Sequence, residues 1–302
     1  MINDIATKIS LIKSRLKKAN ALLEACRVCP RSCGVNRLKN ETGFCGIGAD
    51  PVVSSDNLHH GEEPPISGYR GSGTIFLTGC NLGCIFCQNY PISHLGHGNS
   101  VSVEQVVDMM LRLQKRGAHN INFVTPTHFA PQLMEALLFA YQKGLEIPIV
   151  YNCGGYESLE MLRLWDGIID IYMPDMKYSD PGMAEKYSSA GDYPEVNREA
   201  VREMARQVGD LVMDDEGIAR QGLLIRHLVL PEDVSGTRDI LRFIAEEIST
   251  ETYVSLMSQY FPAYEAVGSP PMNRGITQDE YAKAKGFLEL YGLNRGWVQD
   301  GS

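Results

Sequence analysis

Apolar and polar positions change period along this chain, and the changes divide it. Between residues 4 and 25, Ile5, Ile9, Ile12, Leu16, Ala19 and Leu23 recur at spacings of four and three. They form one stripe of an amphipathic helix, with the lysines expected off that stripe. From Thr74 onward, short apolar runs alternate with segments of helical period. Strands are expected at 74–79, 120–125, 147–152, 168–173, 223–229 and 253–258. Ser102 with Gln105, and Gly117 as a stop, frame one helix; Pro131 and Gly144 frame the next. Others are expected at about 157–165, 195–208 and 237–248, with a last one from Thr277, boxed by Glu280, to Gly292. Such alternation predicts βα units and a parallel sheet. The intervening 46–73 is rich in glycine and proline and reads as an ordered linker, with Glu62 and Glu63 as solvated carboxylates. The expected domains are an N-terminal lobe, 1–63, and an α/β body, 64–302.

Where the first strand ends, Gly79-Cys-Asn-Leu-Gly-Cys-Ile-Phe-Cys-Gln-Asn89 presents Cys80, Cys84 and Cys87 as C-x3-C-x2-C, with Phe86 before the third. A [4Fe–4S] cube normally takes four thiolates. Three leave one iron open to a small molecule, by the logic that separates catalytic from structural zinc sites. Zinc would want a fourth ligand, and His94 and His97 lack the common spacing. Disulfides do not fit a chain without an export signal. The spacing, the flanking aromatic and the preceding strand resemble the radical S-adenosylmethionine (SAM) superfamily, in which SAM's amino and carboxylate groups occupy that iron. The βα units match that superfamily's core, an incomplete (β/α)6 TIM-type barrel.

Cys26, Cys29, Cys33 and Cys45 form a second set, C-x2-C-x3-C-x11-C. Four thiolates complete a metal site, either a structural zinc, slightly favoured as the commoner solution, or a second iron–sulfur cluster. The eight cysteines of the 302-residue chain therefore point to a reducing, cytoplasmic setting. Hydrophobic content is 44%, and no apolar run approaches the roughly 18 residues of a spanning helix. Of the net charge of −9, residues 1–40 carry +7 and the rest −16. A nucleic-acid surface is not expected. The basic lobe is a candidate dock for an acidic flavodoxin or ferredoxin as electron donor.

In βα barrels the strand C-termini carry the chemistry. There stand Thr125-Pro-Thr-His128, Tyr151-Asn152-Cys153, Met173-Pro-Asp175-Met-Lys177, Arg226-His227 and Gln259. Asp175 and Lys177, two apart, can share a face and meet SAM's ammonium and carboxylate. The candidate contacts for cluster and SAM are Phe86, Asn89, Thr125, Asn152, Asp175, Lys177, Arg226 and Gln259. Tyr151, Tyr172 and Met173 are expected to line an adenosine pocket. Cys153 reads as a buried apolar thiol and His128 as a satisfied loop histidine. The loop 262–273 reads as a lid or partner surface.

From Pro64 to about Pro262 the chain resembles the activating enzymes of glycyl-radical enzymes, of the pyruvate formate-lyase activating type. Cys87-Gln-Asn89 is similar to their Cys-His-Asn, Asp175-Met-Lys177 to their SAM-contacting Asp-Leu-Lys, and Ile225–Pro231 to their arginine-bearing fifth strand. The resemblance implies reductive cleavage of SAM to a 5′-deoxyadenosyl radical for hydrogen abstraction, and a glycyl-radical enzyme as partner. A small molecule, peptide or RNA is the alternative substrate, and a non-catalytic redox protein the alternative class. Two positions depart from the pattern. Thr125-Pro-Thr replaces a Gly-Gly-Glu, and the extra cysteines precede the barrel.

Overall fold

Side chains alternate across a strand, and here both faces of most strands are apolar, as a sheet covered by helices outside and closed around a lumen inside requires. The computed structural model describes residues 4–299. Its strands are β1 (Val52–His59), β2 (Ser72–Leu77), β3 (Asn99–Ser100), β4 (Ile121–Val124), β5 (Ile149–Cys153) and β6 (Ile171–Pro174). They continue with β7 (Val212–Met213), β8 (Ala219–Leu228), β9 (Tyr253–Met257) and β10 (Gly296–Val298). Among the described residues they form one sheet in the order β10-β9-β8-β6-β5-β4-β2-β1-β3, with β7 paired to β8. The run β2-β4-β5-β6-β8-β9 is parallel throughout and corresponds to the expected strands. The sheet curls without closing, an α/β partial TIM-type barrel.

The helices are α1 (Ile5–Ala21), α2 (Pro64–Ser67), α3 (Tyr90–Ser93), α4 (Val103–Lys115) and α5 (Ala130–Gln142). After them come α6 (Leu159–Trp165), α7 (Pro181–Ser188), α8 (Tyr193–Val208), α9 (Thr237–Phe243) and α10 (Gln278–Leu290). Both expected capping boxes form, Ser102–Gln105 on α4 and Thr277–Glu280 on α10. One face of the barrel strands, carrying among others Ile75, Phe123, Tyr151, Tyr172 and Ile225, packs into the main core under the helices. On the opposite face, Val150, Ile171, Met173, Leu224 and Tyr253 close around Ile66 of α2 in the lumen.

Two expectations change here. The stretch 46–73 is more than a linker. β1 runs antiparallel along β2 from Val53 to His59, and the chain then turns beneath the barrel, where α2 plugs its floor with fully buried Ile66. Polar Ser54, Ser55, Asp56 and Asn57 hide this edge strand from a hydrophobic pattern, because one side of it faces water. The lysines of α1 do not all lie off its stripe either. Lys8 is buried, and its ammonium meets Asp170 at 2.5 Å with both side chains at most 6% exposed. Other basic groups of the lobe also turn inward. Arg15 donates to the carbonyls of Leu164 and Asp166, Arg31 to Asn81, and Arg37 to Gly48 and His128. No helix among the described residues is long and apolar enough to cross a membrane.

Candidate functional site

Cys80, Cys84 and Cys87 lie on the loop leaving β2, at the C-terminal edge of the sheet. Gly79 makes the exit at φ +82°, where a Cβ would stand 2.7 Å from the Cys45 carbonyl oxygen. The N–H groups of Gly83 and Ile85 donate to the carbonyls of Ser188 and Tyr187, each at 3.0 Å. These bonds clamp the loop to α7, a helix that joins no expected element of the sequence. Each sulfur also receives a donor: Ser188 Oγ to Cys84 at 2.9 Å, Ser93 Oγ to Cys87 at 3.1 Å, and the Leu82 N–H to Cys80 at 3.4 Å. Burial pushes the Cys80 and Cys84 thiols up, so metal binding is what would release their protons. Three sulfurs, each with a hydrogen-bond donor, fit a metal-bound thiolate set. Phe86 is buried edge-on against Tyr178 and Tyr260.

Beside this loop, three strands converge on one ion cluster. Asp175 follows β6, and its carboxylate takes Lys177 Nζ at 2.6 Å and Arg226 Nε, from β8, at 2.8 Å. Arg226 Nη2 reaches Asn152 Oδ1 of β5 at 2.7 Å. Burial pushes the Asp175 carboxyl up, but Arg226 and Lys177 outweigh it and hold it below the usual carboxylate range. For Lys177 burial acts downward, and Asp175 reverses it, so the ammonium stays charged. These side chains keep 16–20% of their surface open, so the cluster faces the lumen without being sealed.

Below it lies Glu62, read from sequence as solvated. Its side chain is only 9% exposed, and its carboxylate stands 3.6 Å from Arg226 Nη1. Asn122 Nδ2 of β4 donates to it at 3.2 Å, and burial pushes its pKa up against the pull of Arg226. Glu63 is buried as well. Both belong to the barrel floor, which no local pattern announces. Parity would have found Asn122, since it shares the inward face with Val124.

The backbone of Asp175–Lys177 is itself held. The Tyr193 hydroxyl bridges the carbonyls of Gly154 and Asp175 and accepts the Lys177 N–H at 3.0 Å. Asn197 Nδ2 donates to the Gly155 and Asp175 carbonyls, both at 3.0 Å. A Cβ on Gly155 would stand 2.3 Å from the Asp175 oxygen. The sequence did carry a signal for Asn197, an amide on the buried stripe of α8 that includes Ala200, Val201 and Met204.

Other candidates fall elsewhere. Asn89 is exposed at the start of α3, and Gln259 is exposed with its amide bonded to Gln299, although its carbonyl accepts from Gln88. Thr125 is half-buried, donates its N–H to Asn152 at 2.8 Å, and adopts φ +59°. Tyr151 and Tyr172 do not line a lumen pocket. Their places on the outward face of β5 and β6 send them into the helix layer, where they bond Glu157 and Gln207, whereas Met173 does face inward. Cys153 also points outward, bonded to Glu157. Burial drives His128 down to about 3. Its Nε2 meets the Thr78 carbonyl at 2.8 Å, and Nδ1 has no partner. His227 lies between the Met176 carbonyl and Thr237 and is held down to about 4 by burial. The loop after β9 packs on the cluster loop, Ala266 N–H to Ile85 at 2.9 Å and Tyr264 stacked on Tyr90 and His94. A surface cleft lined by Val229, Glu232, Lys283 and Phe287 touches none of these groups. Cys26, Cys29, Cys33 and Cys45 line one further cavity.

Comparison with known proteins agrees with this geometry. MJ0674 of Methanocaldococcus jannaschii, an uncharacterized protein, is 30% identical over 97% of this chain and 82% of its own length. MJ0808 of the same organism, also uncharacterized, is 23% identical over 82% and 73%. The FeFe-hydrogenase maturase HydG from Carboxydothermus hydrogenoformans shares the fold, with a TM-score of 0.53 at 14% identity over 98% of this chain and 71% of that one. Residues 74–244, more than half of the chain and the segment carrying the three cysteines and the ion cluster, match the Radical SAM superfamily, and the chain belongs to it.

Proposed function

We propose that this radical SAM enzyme places a radical on a glycine of a partner protein, in the manner of the activating enzymes its motifs resemble. The observation that carries the reading is the set Asp175, Lys177, Arg226 and Asn152 gathered beside the Cys80–Cys87 loop. A carboxylate with two cations each within 2.8 Å of it can exchange these contacts for the ammonium and carboxylate of one amino-acid ligand.

A [4Fe–4S] cluster and SAM, when bound, supply reductive cleavage of a sulfonium carbon–sulfur bond to methionine and a 5′-deoxyadenosyl radical. Cys80, Cys84 and Cys87 would hold three irons of the cube. Asp175 would accept the methionyl ammonium, and Lys177 with Arg226 would bind the carboxylate. Asn152 and Glu62 hold Arg226 upright from below. Phe86, Tyr178 and Tyr260 exclude water from behind the cluster loop. Asn89, Thr125 and Gln259 lie at the rim, where the bulk of a nucleoside would reach them. The electron donor would be a reduced flavodoxin or ferredoxin.

Two further features support a protein substrate. Phe261 and Val267 are 53% and 64% exposed on the segment packed against the cluster loop, an apolar landing beside the radical source. The motif resemblance adds the glycyl-radical class. Anaerobic incubation of reduced enzyme and SAM with candidate partners should give a glycyl doublet in electron spin resonance. The Glu62–Arg226 floor favours the second reading, a small polar substrate within the lumen. A new product mass without any protein radical would select it and remove the first.

A further inference from the structure

The four N-terminal cysteines take no part in the site above. Cys26, Cys29, Cys33 and Cys45 nonetheless line one cavity, together with Arg37 and His128. Cys26 and Cys29 are buried, and Cys33 alone is exposed. Two features mark the cavity as built for an occupant. Arg37 is 1% exposed and His128 is 1% exposed, yet Arg37 Nη2 and His128 Nδ1 have no hydrogen-bond partner. Buried polar atoms left unpaired are rare, and each asks for an explanation. Three of the sulfurs meet backbone donors, Cys33 Sγ the Phe44 N–H at 3.5 Å, Cys29 that of Arg31 and Cys45 that of Ile47, as ligated thiolates do.

Zinc, slightly favoured from the spacing, and a cluster are both anions once four thiolates surround them, so charge does not choose. Spacing does. Zinc draws its sulfurs to about 2.3 Å, and no three His, Cys, Asp or Glu side chains among the described residues are grouped to hold a metal ion in that way. The same is true of Cys80, Cys84 and Cys87, where the family places a cube. In a cube each thiolate takes a different iron, so the sulfurs surround a cavity.

We propose that Cys26, Cys29, Cys33 and Cys45 bind a second [4Fe–4S] cluster, fully thiolate-ligated, with Arg37 donating to it. It would be a neighbour of the first. The Cys45 carbonyl abuts Gly79, and Arg31 Nε, from within the lobe, donates to the Asn81 carbonyl at 2.9 Å. Both contacts flank Cys80.

The test counts iron, acid-labile sulfide and zinc in the full chain after anaerobic reconstitution. About eight irons and eight sulfides are expected in the wild type. The variants Cys80→Ser/Cys84→Ser/Cys87→Ser and Cys26→Ser/Cys29→Ser should each keep about four of both. The reduced wild type should show an electron spin resonance signal broadened beyond the sum of the two variants. About four irons with one zinc, or about four irons alone, in the wild type would overturn the proposal. If the triple variant does not fold, the wild-type count decides by itself. None of these counts depends on the partner or substrate, so they stand or fall apart from the glycyl-radical reading.

Discussion

The two thiol sites follow opposite plans. Around Cys80, Cys84 and Cys87 the companion groups come from β5, β8 and the segment after β6, and they neutralise one another, Asp175 lying between Lys177 and Arg226. Around Cys26 to Cys45 the donors come from one short stretch, and the buried Arg37 and His128 atoms beside them stay unpaired. Self-paired charges stay satisfied when a ligand leaves, which an exchangeable cofactor such as SAM demands. Unpaired polar atoms are satisfied only while an occupant is present, which marks a permanent resident. On the readings proposed above, one site suits turnover and the other retention.

The largest effect that can break this contrast comes from Cys84→Ser. Formation of 5′-deoxyadenosine, followed by chromatography, should fall by on the order of a thousandfold or more, while iron at the N-terminal site is kept. Loss of both together would join what the structure separates. Next is Asp175→Asn, which leaves Lys177 and Arg226 facing each other. Because the pair keeps part of its surface open, the cost should be about 2–3 kcal/mol, below that of a fully buried pair. Equilibrium dialysis should then show SAM affinity weakened by roughly 30- to 150-fold. An unchanged affinity would place SAM's ammonium elsewhere.

A third prediction concerns pH. Glu157 accepts from Thr127 at 2.6 Å and Tyr151 at 3.0 Å, and burial pushes its carboxyl up from 4.5 to about 7. The folded state therefore binds this proton more tightly than the unfolded chain. The stability it contributes is full below about pH 4.5 and is lost as pH rises through 7, up to about 3 kcal/mol. Melting curves of the wild type should decline across that window more steeply than those of Glu157→Gln. Parallel declines would mean that Glu157 is ionised in the fold. The smallest effect sharpens the rim. Thr125 is β-branched at φ +59°, an unfavourable conformation for it. Thr125→Gly should raise Tm by about 2 °C through relief of about 1 kcal/mol. A fall would show that the threonine side chain makes a contact worth more than the strain.

Legibility followed the range of the interactions involved. The parallel strands and both capping boxes were readable, because period and caps act over a few residues. Cys80, Cys84 and Cys87 were readable for the same reason. Asn152, Asp175, Lys177 and Arg226 came from the rule that strand ends carry chemistry, and the fold brings all four together. The rule did not separate inward from outward positions, so Tyr151 and Tyr172 were assigned to the lumen although alternation from Asn152 and Met173 turns them away. Glu62, Tyr193 and Asn197 act through partners far along the chain, on Arg226 and on the backbone around Asp175. No local window contains both halves of such a contact.

The chain's order of residues determined by itself that strands and helices alternate, where helices start, and that seven of the eight cysteines fall into two closely spaced sets. These features rest on backbone geometry and on ligand distances along a few bonds. Only the tertiary structure decided that β1 and α2 close the barrel floor, that a carboxylate from that floor supports Arg226, and that the N-terminal thiols share one cavity with Arg37 and His128. Each of these depends on where distant segments come to rest, and packing around the common core sets that.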